Sequence, residues 1–237
     1  MDASEIYEKR LQSAFLSVAK KACCEYNAIV SPQKKPCPDM WFGSIKTLSV
    51  DNAKPIREGL RKTKECRVVL VLESPHVREY KDITAIRPIQ GQTGKNLEKM
   101  LLDVLGEQYS EYQLFVVNAI RYQCSQGLRL RVGMNGEIKD FVFGNLLRKE
   151  SFKNDLIGRL GKIYRPNTDI VINACTDSRA WNLNKGNKDM VRDLLRQLCM
   201  SKPESYHELP HPAVWKSGKL SGLQDRFKNN KELCASL

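Results

Sequence analysis

Four side chains of this sequence have the chemistry and the settings to act on a polar ligand. Glu73, Asn118, Asp177 and His211 each stand at, or just after, the C-terminal end of a run that reads as a strand. Glu73-Ser74-Pro75-His76 follows Arg67-Val68-Val69-Leu70-Val71-Leu72 directly, and the proline fixes the chain as it leaves the sheet. A carboxylate there can orient a water or steady a neighbouring positive charge, with Ser74 as the second candidate. Asn118 closes the run Phe115-Val116-Val117, and its amide offers one acceptor and two donors to a polar edge. Left unpaired in a closed pocket, those groups would cost enough to reject a wrong ligand. His211 opens His211-Pro212-Ala213-Val214-Trp215, where an imidazole can donate to an oxygen that gains negative charge. Each residue also has an ordinary role: a helix-capping acid, an Asn satisfied by loop backbone, a structural His-Pro turn.

The segment Gly91-Gln92-Thr93-Gly94-Lys95-Asn96 invites comparison with a nucleotide-binding P-loop. That motif requires glycine where Ile89 stands, and Ser or Thr where Asn96 stands. The loop does open a helix, so Gly91, Thr93, Gly94 and Lys95 are candidates for holding a backbone phosphate on free amides. A plain strand-to-helix turn accounts for the glycines equally well.

The elements that must position these residues alternate in type. Residues 5 to 26 read as an amphipathic helix through Tyr7, Leu11, Ala14, Phe15, Val18 and Ala22. The turn-rich stretch 31–38 leads to Trp41 and Phe42, and the first 50 residues are expected to form a helical extension. Buried strands are expected at 67–72, 114–117 and 169–172, helices from about 94 to 105 and 187 to 199, and a short strand at 205–209. This order predicts a three-layer α/β/α domain over 51–237, built on a central, mostly parallel four-stranded sheet. In such sheets ligands bind at the carboxyl edge, where the four polar residues converge.

The whole chain is basic: 39 Lys and Arg against 27 Asp and Glu give a net charge of +12 over 237 residues. A field of that sign favours polyanions, nucleic acid first. The stretch at about 125–165 reads as a basic insertion holding Arg129, Arg131, Arg148, Lys149, Lys153, Arg159, Lys162 and Arg165. It suits a grip on DNA backbone, or a solvated charged excursion. No run reaches membrane-spanning length, and Met1-Asp2-Ala3-Ser4-Glu5 lacks the order of a signal peptide. A cytoplasmic, nucleoid-associated location is expected. None of the eight cysteines forms a C-x-x-C pair, so reduced thiols and no metal are expected.

Taken in order, these pieces resemble the uracil-DNA glycosylase superfamily. Val69-Leu70-Val71-Leu72-Glu73-Ser74-Pro75-His76 is similar to its first motif, a strand and a short loop carrying the catalytic acid. Arg87 through Leu97 is similar to the segment that stacks and brackets the base. Phe115-Val116-Val117-Asn118-Ala119-Ile120 resembles the strand whose Asn reads the base, and His211-Pro212-Ala213 the closing His-Pro-Ser motif. The likeness spans roughly residues 66 to 226. Glu73 matches the acid of the Gly-Glu-x-Pro-Gly branch, although Leu72 replaces its first glycine and its iron–sulfur cysteine spacing is absent. Ile89 stands where a phenylalanine usually stacks on uracil, and Ala213 where Ser follows His-Pro.

The resemblance implies hydrolysis of the N-glycosidic bond of an extruded base in DNA, without cofactor, by a monomer. Such cleavage passes through an oxocarbenium-like state, which the negative charge of Glu73 would favour. Asn118 would read the base, with Pro75, His76, Ile89 and Gln90 walling the pocket. His211 would stabilise the leaving base, and Val214, Trp215 and Lys216 would meet the duplex where the base leaves the stack. The altered stacking position suggests a base other than plain uracil; some bacterial members of this superfamily act on bulky modified bases of phage DNA. Two rivals stand beside this expectation: a glycosylase-like fold that binds DNA or a modified base without cutting, and an enzyme of free nucleosides.

Overall fold

The computed structural model describes residues 2–25, 35–56, 64–80, 86–124, 134–178 and 184–235. Strand β3 (Arg67–Leu72) lies at the centre, and all six of its residues are buried. A continuous apolar run of this kind suits a parallel strand covered on both faces. Strand β4 (Gln113–Asn118) pairs with it in parallel, Val68 opposite Leu114 and Leu72 opposite Asn118. On the other side β5 (Ile170–Asn173) runs parallel to β3, and β6 (Tyr206–Glu208) parallel to β5. Those four strands form the expected parallel core, in the order β4-β3-β5-β6.

Two further strands extend the sheet beyond β4. Strand β1 (Met40–Ser44) pairs antiparallel with β4, and the two-residue β2 (Lys54–Pro55) antiparallel with β1. The first 50 residues are therefore more than a helical extension: they supply a strand to the sheet.

The period-2 alternation of the strands sorts their side chains between two cores. Val69, Val71, Phe115, Val117 and Val171 face one layer, made of helices α1 (Ala3–Glu25), α3 (Met134–Leu147), α4 (Glu150–Gly161) and α5 (Asn187–Leu198). Val68, Leu70, Leu114, Val116 and Ile172 face the other, with α2 (Gln92–Leu105) and α6 (Leu220–Ala235). The protein is a three-layer α/β/α structure on a mixed, mostly parallel sheet.

The stretch expected as a basic insertion largely builds the first of these layers, through α3 and α4. Phe141, Val142, Phe143 and Leu146 of α3 are fully buried against α1 and the sheet. Arg159 of α4 is tied into the interior by Asp39 and Asp155, and donates to the carbonyls of Asn118 and Ala119. Arg165 pairs with Asp169. Arg148, Lys149 and Lys162 are exposed, whereas Arg129 and Arg131 lie outside the described residues. No helix among the described residues is long and apolar enough to cross a membrane.

Candidate active site

The chain leaves β3 toward β4 by way of α2 on one face, then returns to β5 by way of α3 and α4 on the other. Such a switch point parts the loops and opens a crevice at the carboxyl edge. Here the crevice is a cavity of about 390 Å³, walled by Leu72, Glu73, Ser74, Pro75 and His76 after β3 and by Thr176 after β5. The start of α2 contributes Gln90, Gln92 and Thr93, the loop after β6 contributes His211 and Ala213, and Arg78, Glu79 and Lys139 complete the wall.

Glu73 is nearly buried, yet both carboxylate oxygens are engaged. Lys139 Nζ donates to Oε2 at 3.0 Å and Asn187 Nδ2 to Oε1 at 3.3 Å. Asn187 is the first residue of α5, and it also reaches Asp140, which accepts from Ser178 at 2.7 Å. Elements distant in sequence thus converge on one carboxylate and fix its direction. Burial pulls the Lys139 ammonium down, but Glu73 and Asp140 outweigh it and the net shift is upward. Lys139 is therefore a cation at neutral pH, suited to meet an anion and unsuited to act as an amine nucleophile.

His211 sits in a loop held from three sides. Its Nδ1 accepts from the Ala213 backbone N–H at 3.2 Å, inside the short turn that Pro212 starts. Asn96 of α2 donates to the carbonyls of Pro212 (2.7 Å) and Trp215 (3.3 Å), and accepts from Gln92 at 2.7 Å. Trp215 Nε1 donates to Pro210 O at 2.9 Å. Burial, reinforced by Lys139, Lys188 and His76, pushes the imidazole down to about 4. The ring is neutral at pH 7 with Nδ1 occupied as acceptor, so the proton sits on Nε2 and that N–H is free to donate. His76 shares the pattern: burial, then Arg78 and Lys139, lower its pKa, and its Nδ1 accepts from Arg78 N–H.

The third wall is set by a strained turn. Ile89 has φ of +58°, a conformation that a β-branched residue rarely adopts. Its N–H donates to Glu79 Oε1 at 2.9 Å, and its carbonyl is packed against Gly94, where a Cβ would come within 2.2 Å of the oxygen. Gly91, at φ +100°, turns the chain into α2. Strain held this firmly from both sides is typical of functional loops.

Of the residues singled out in the sequence, Glu73, Ser74, Pro75, His76, Gln90, Thr93 and His211 share this cavity. Lys95 is exposed in the first turn of α2; Val214, 63 % exposed, and Lys216 flank the His211 loop. Gly91 caps α2, while Gly94 is buried in packing against Ile89 rather than open to a phosphate. Asp177 is exposed and off the cavity wall, and three further expectations are corrected. Asn118 is 2 % exposed and off the cavity wall: in register with Leu72, it ends beside the Cys37 thiol, with Nδ2 unpartnered. Ile89 points its side chain into the core with Leu97 and Leu101, so it is no platform for a base. Trp215 is buried and hydrogen-bonded, which leaves Val214 as the large exposed apolar side chain of that turn.

Lys139, Glu79, Arg78, Gln92 and Thr176 were not singled out in the sequence. Lys139 carried no signal, since only the fold brings α3 over the end of β3. Glu79 carried a weak one, an acid three residues beyond His76 beside Tyr80. Among the described residues no cluster of three or more His, Cys, Asp or Glu side chains is arranged to hold a metal ion. No protein-family model matches the chain, and no curated protein matches it.

Proposed function

We propose that the protein is a DNA N-glycosylase, hydrolysing the bond between an extruded base and its sugar and leaving an abasic site. The observation that carries this reading is the neutral His211, its Nδ1 occupied by Ala213, in the same cavity as the fixed carboxylate of Glu73. Cleavage of a glycosidic bond develops negative charge on the leaving base and positive charge on the sugar. A rigid Nε2–H donor answers the first and a carboxylate answers the second. Glu73 orients the attacking water, and Lys139 limits the net charge beside it. A cavity of about 390 Å³ has room for a base bulkier than uracil. The net charge of +12 supports DNA as the partner.

The test is a panel of duplex and single-stranded oligonucleotides bearing uracil, hypoxanthine, thymine mismatches and hydroxymethylated or glycosylated pyrimidines. Alkali-labile sites should form on at least one of them and be lost in Glu73→Ala. Absence of cleavage on every substrate, or a Glu73→Ala protein as fast as the parent, defeats the reading. The engagement of Glu73 by Lys139 and Asn187 favours one rival, a protein that binds DNA or a modified base without cutting. Tight binding with no abasic product decides for it.

A further inference from the structure

A carboxyl group withdrawn from water needs a cation or well-placed donors. Glu79 is 6 % exposed, and no ion pair holds it among the described residues. It is instead aimed by backbone: Ile89 N–H donates to Oε1 at 2.9 Å and His76 N–H to Oε2 at 3.2 Å. Both donors are rigid. Ile89 is locked at positive φ against Gly94, and His76 follows Pro75 at the end of β3. Each carboxyl oxygen keeps a second lone pair, and Glu79 lies on the cavity wall.

Glu79 differs from its neighbours in what it offers. Lys139, Arg78 and the Nε2–H of His211 are donors. Glu73, the other carboxylate of the wall, also carries one donor on each oxygen, but one of these is the Lys139 cation, and the glycosylase reading gives Glu73 to the water. The wall also holds the hydroxyls and amides of Ser74, Gln90, Gln92, Thr93 and Thr176. A ligand whose acceptors face Lys139, Arg78 and His211 nonetheless meets in Glu79 a buried acceptor fixed by two backbone donors. Burial pushes the Glu79 carboxyl up to about 8, against the pull of the two backbone donors. Its carbonyl oxygen remains an acceptor with the proton on or off.

We propose that Glu79 is a specificity-determining residue of this site, accepting a ring N–H of the bound base while His211 donates to a carbonyl of the same base. The inference rests on the glycosylase reading for the identity of the ligand as a base. It assigns Glu79 a role that Asn118, off the cavity wall, does not fill.

Methylation of the ring nitrogen removes the N–H without altering the rest of the base. Calorimetric titration of the intact protein with uracil, 5-hydroxymethyluracil and hypoxanthine, each against its counterpart methylated at the ring N–H of the pairing edge, reads the contact directly. The parent should bind at least one unmethylated base about tenfold or more tighter than its methylated partner, as expected when a buried polar group loses its mate. Glu79→Ala should abolish that difference. Glu79→Gln, which keeps a carbonyl oxygen, should retain a preference of several-fold, and it stands as the second variant if Glu79→Ala does not fold. A parent that binds none of these bases, or that does not discriminate, overturns the inference; so does a folded Glu79→Ala that keeps the preference. Base release from oligonucleotides is scored separately. Release with a Glu79-independent preference overturns this inference alone, and Glu79-dependent base binding without release overturns the glycosylase reading alone.

Discussion

His211 shows how one side chain acquires a definite chemical state from its surroundings. A backbone N–H on Nδ1, burial and the nearby cations Lys139 and Lys188 together keep the ring neutral. His211→Ala should lower base release by about 10²–10³-fold, the usual cost of losing a donor aimed at developing charge. Because the ring protonates only near pH 4, activity should not fall between pH 7 and 5 on account of His211, and a pH–rate profile checks this. The same shift affects stability. The unfolded chain takes up a proton near 6.5 and the folded ring only near 4, so this contribution is complete above 6.5 and lost as pH falls toward 4. Glu79 has the opposite sign. Its folded carboxyl titrates near 8 against an ordinary value of 4.5, so its contribution is complete below 4.5 and lost as pH rises to 8. Denaturant melts of Glu79→Gln should therefore gain on the parent by a few kcal/mol between pH 5 and 8. A constant offset across that range would show that the carboxyl does not titrate there.

At the scale of elements, the cavity depends on how α2 is seated. Gly94 packs on the Ile89 carbonyl and Val50, and Asn96 holds the His211 loop to the helix. Gly94→Ala should cost about 1–3 kcal/mol in thermal or urea unfolding, because the added carbon meets backbone. Asn96→Ala should cost about as much by stranding the Pro212 carbonyl, and should slow base release further by freeing His211. Equal losses in β3 variants remote from the cavity would remove the special standing of this contact. The sequence made the central strands and α1, α2 and α5 legible, since continuous apolar runs and helical spacing are strong signals. Helix α3 was hidden for a physical reason. Ile138, Phe141, Val142, Phe143, Leu146 and Leu147 are all buried, so no one-sided stripe marks the helix among the charges around it. Strands β1 and β2, of five and two residues, are held by pairing with neighbours rather than by their own pattern. The motif residues of the site could be read because loops after strands carry them. Lys139 and Asn187 could not, because their role exists only once three distant elements meet.

For the whole molecule, the proposed DNA partner raises the question of which of its 39 basic side chains would meet the polyanion and which hold the protein together. Arg159 belongs to the second group: its side chain is 12 % exposed and its partners Asp39 and Asp155 are 11 % and 8 % exposed. Arg159→Ala should destabilise the fold by about 3–5 kcal/mol, since it leaves the largely buried Asp39 without its cation and Asp155 with Arg121 alone. Lys95 and Lys216 are candidates for the first: both are exposed, one in the opening turn of α2 and the other just beyond Ala213, which lines the cavity. Contacts to phosphate release counterions, so the logarithm of the binding constant falls with the logarithm of salt concentration by about 0.9 per phosphate on duplex DNA. Lys95→Ala and Lys216→Ala should each lower that slope by about 1, weaken all sequences alike, and leave the melting temperature within a degree or two of the parent. Fluorescence-anisotropy titrations on a fixed duplex at several salt concentrations measure the slope. An unchanged slope in both variants would place the DNA path elsewhere on the surface. A changed slope with unaltered stability would place the phosphates at the α2 and His211 edge, beside the cavity that Glu73 lines.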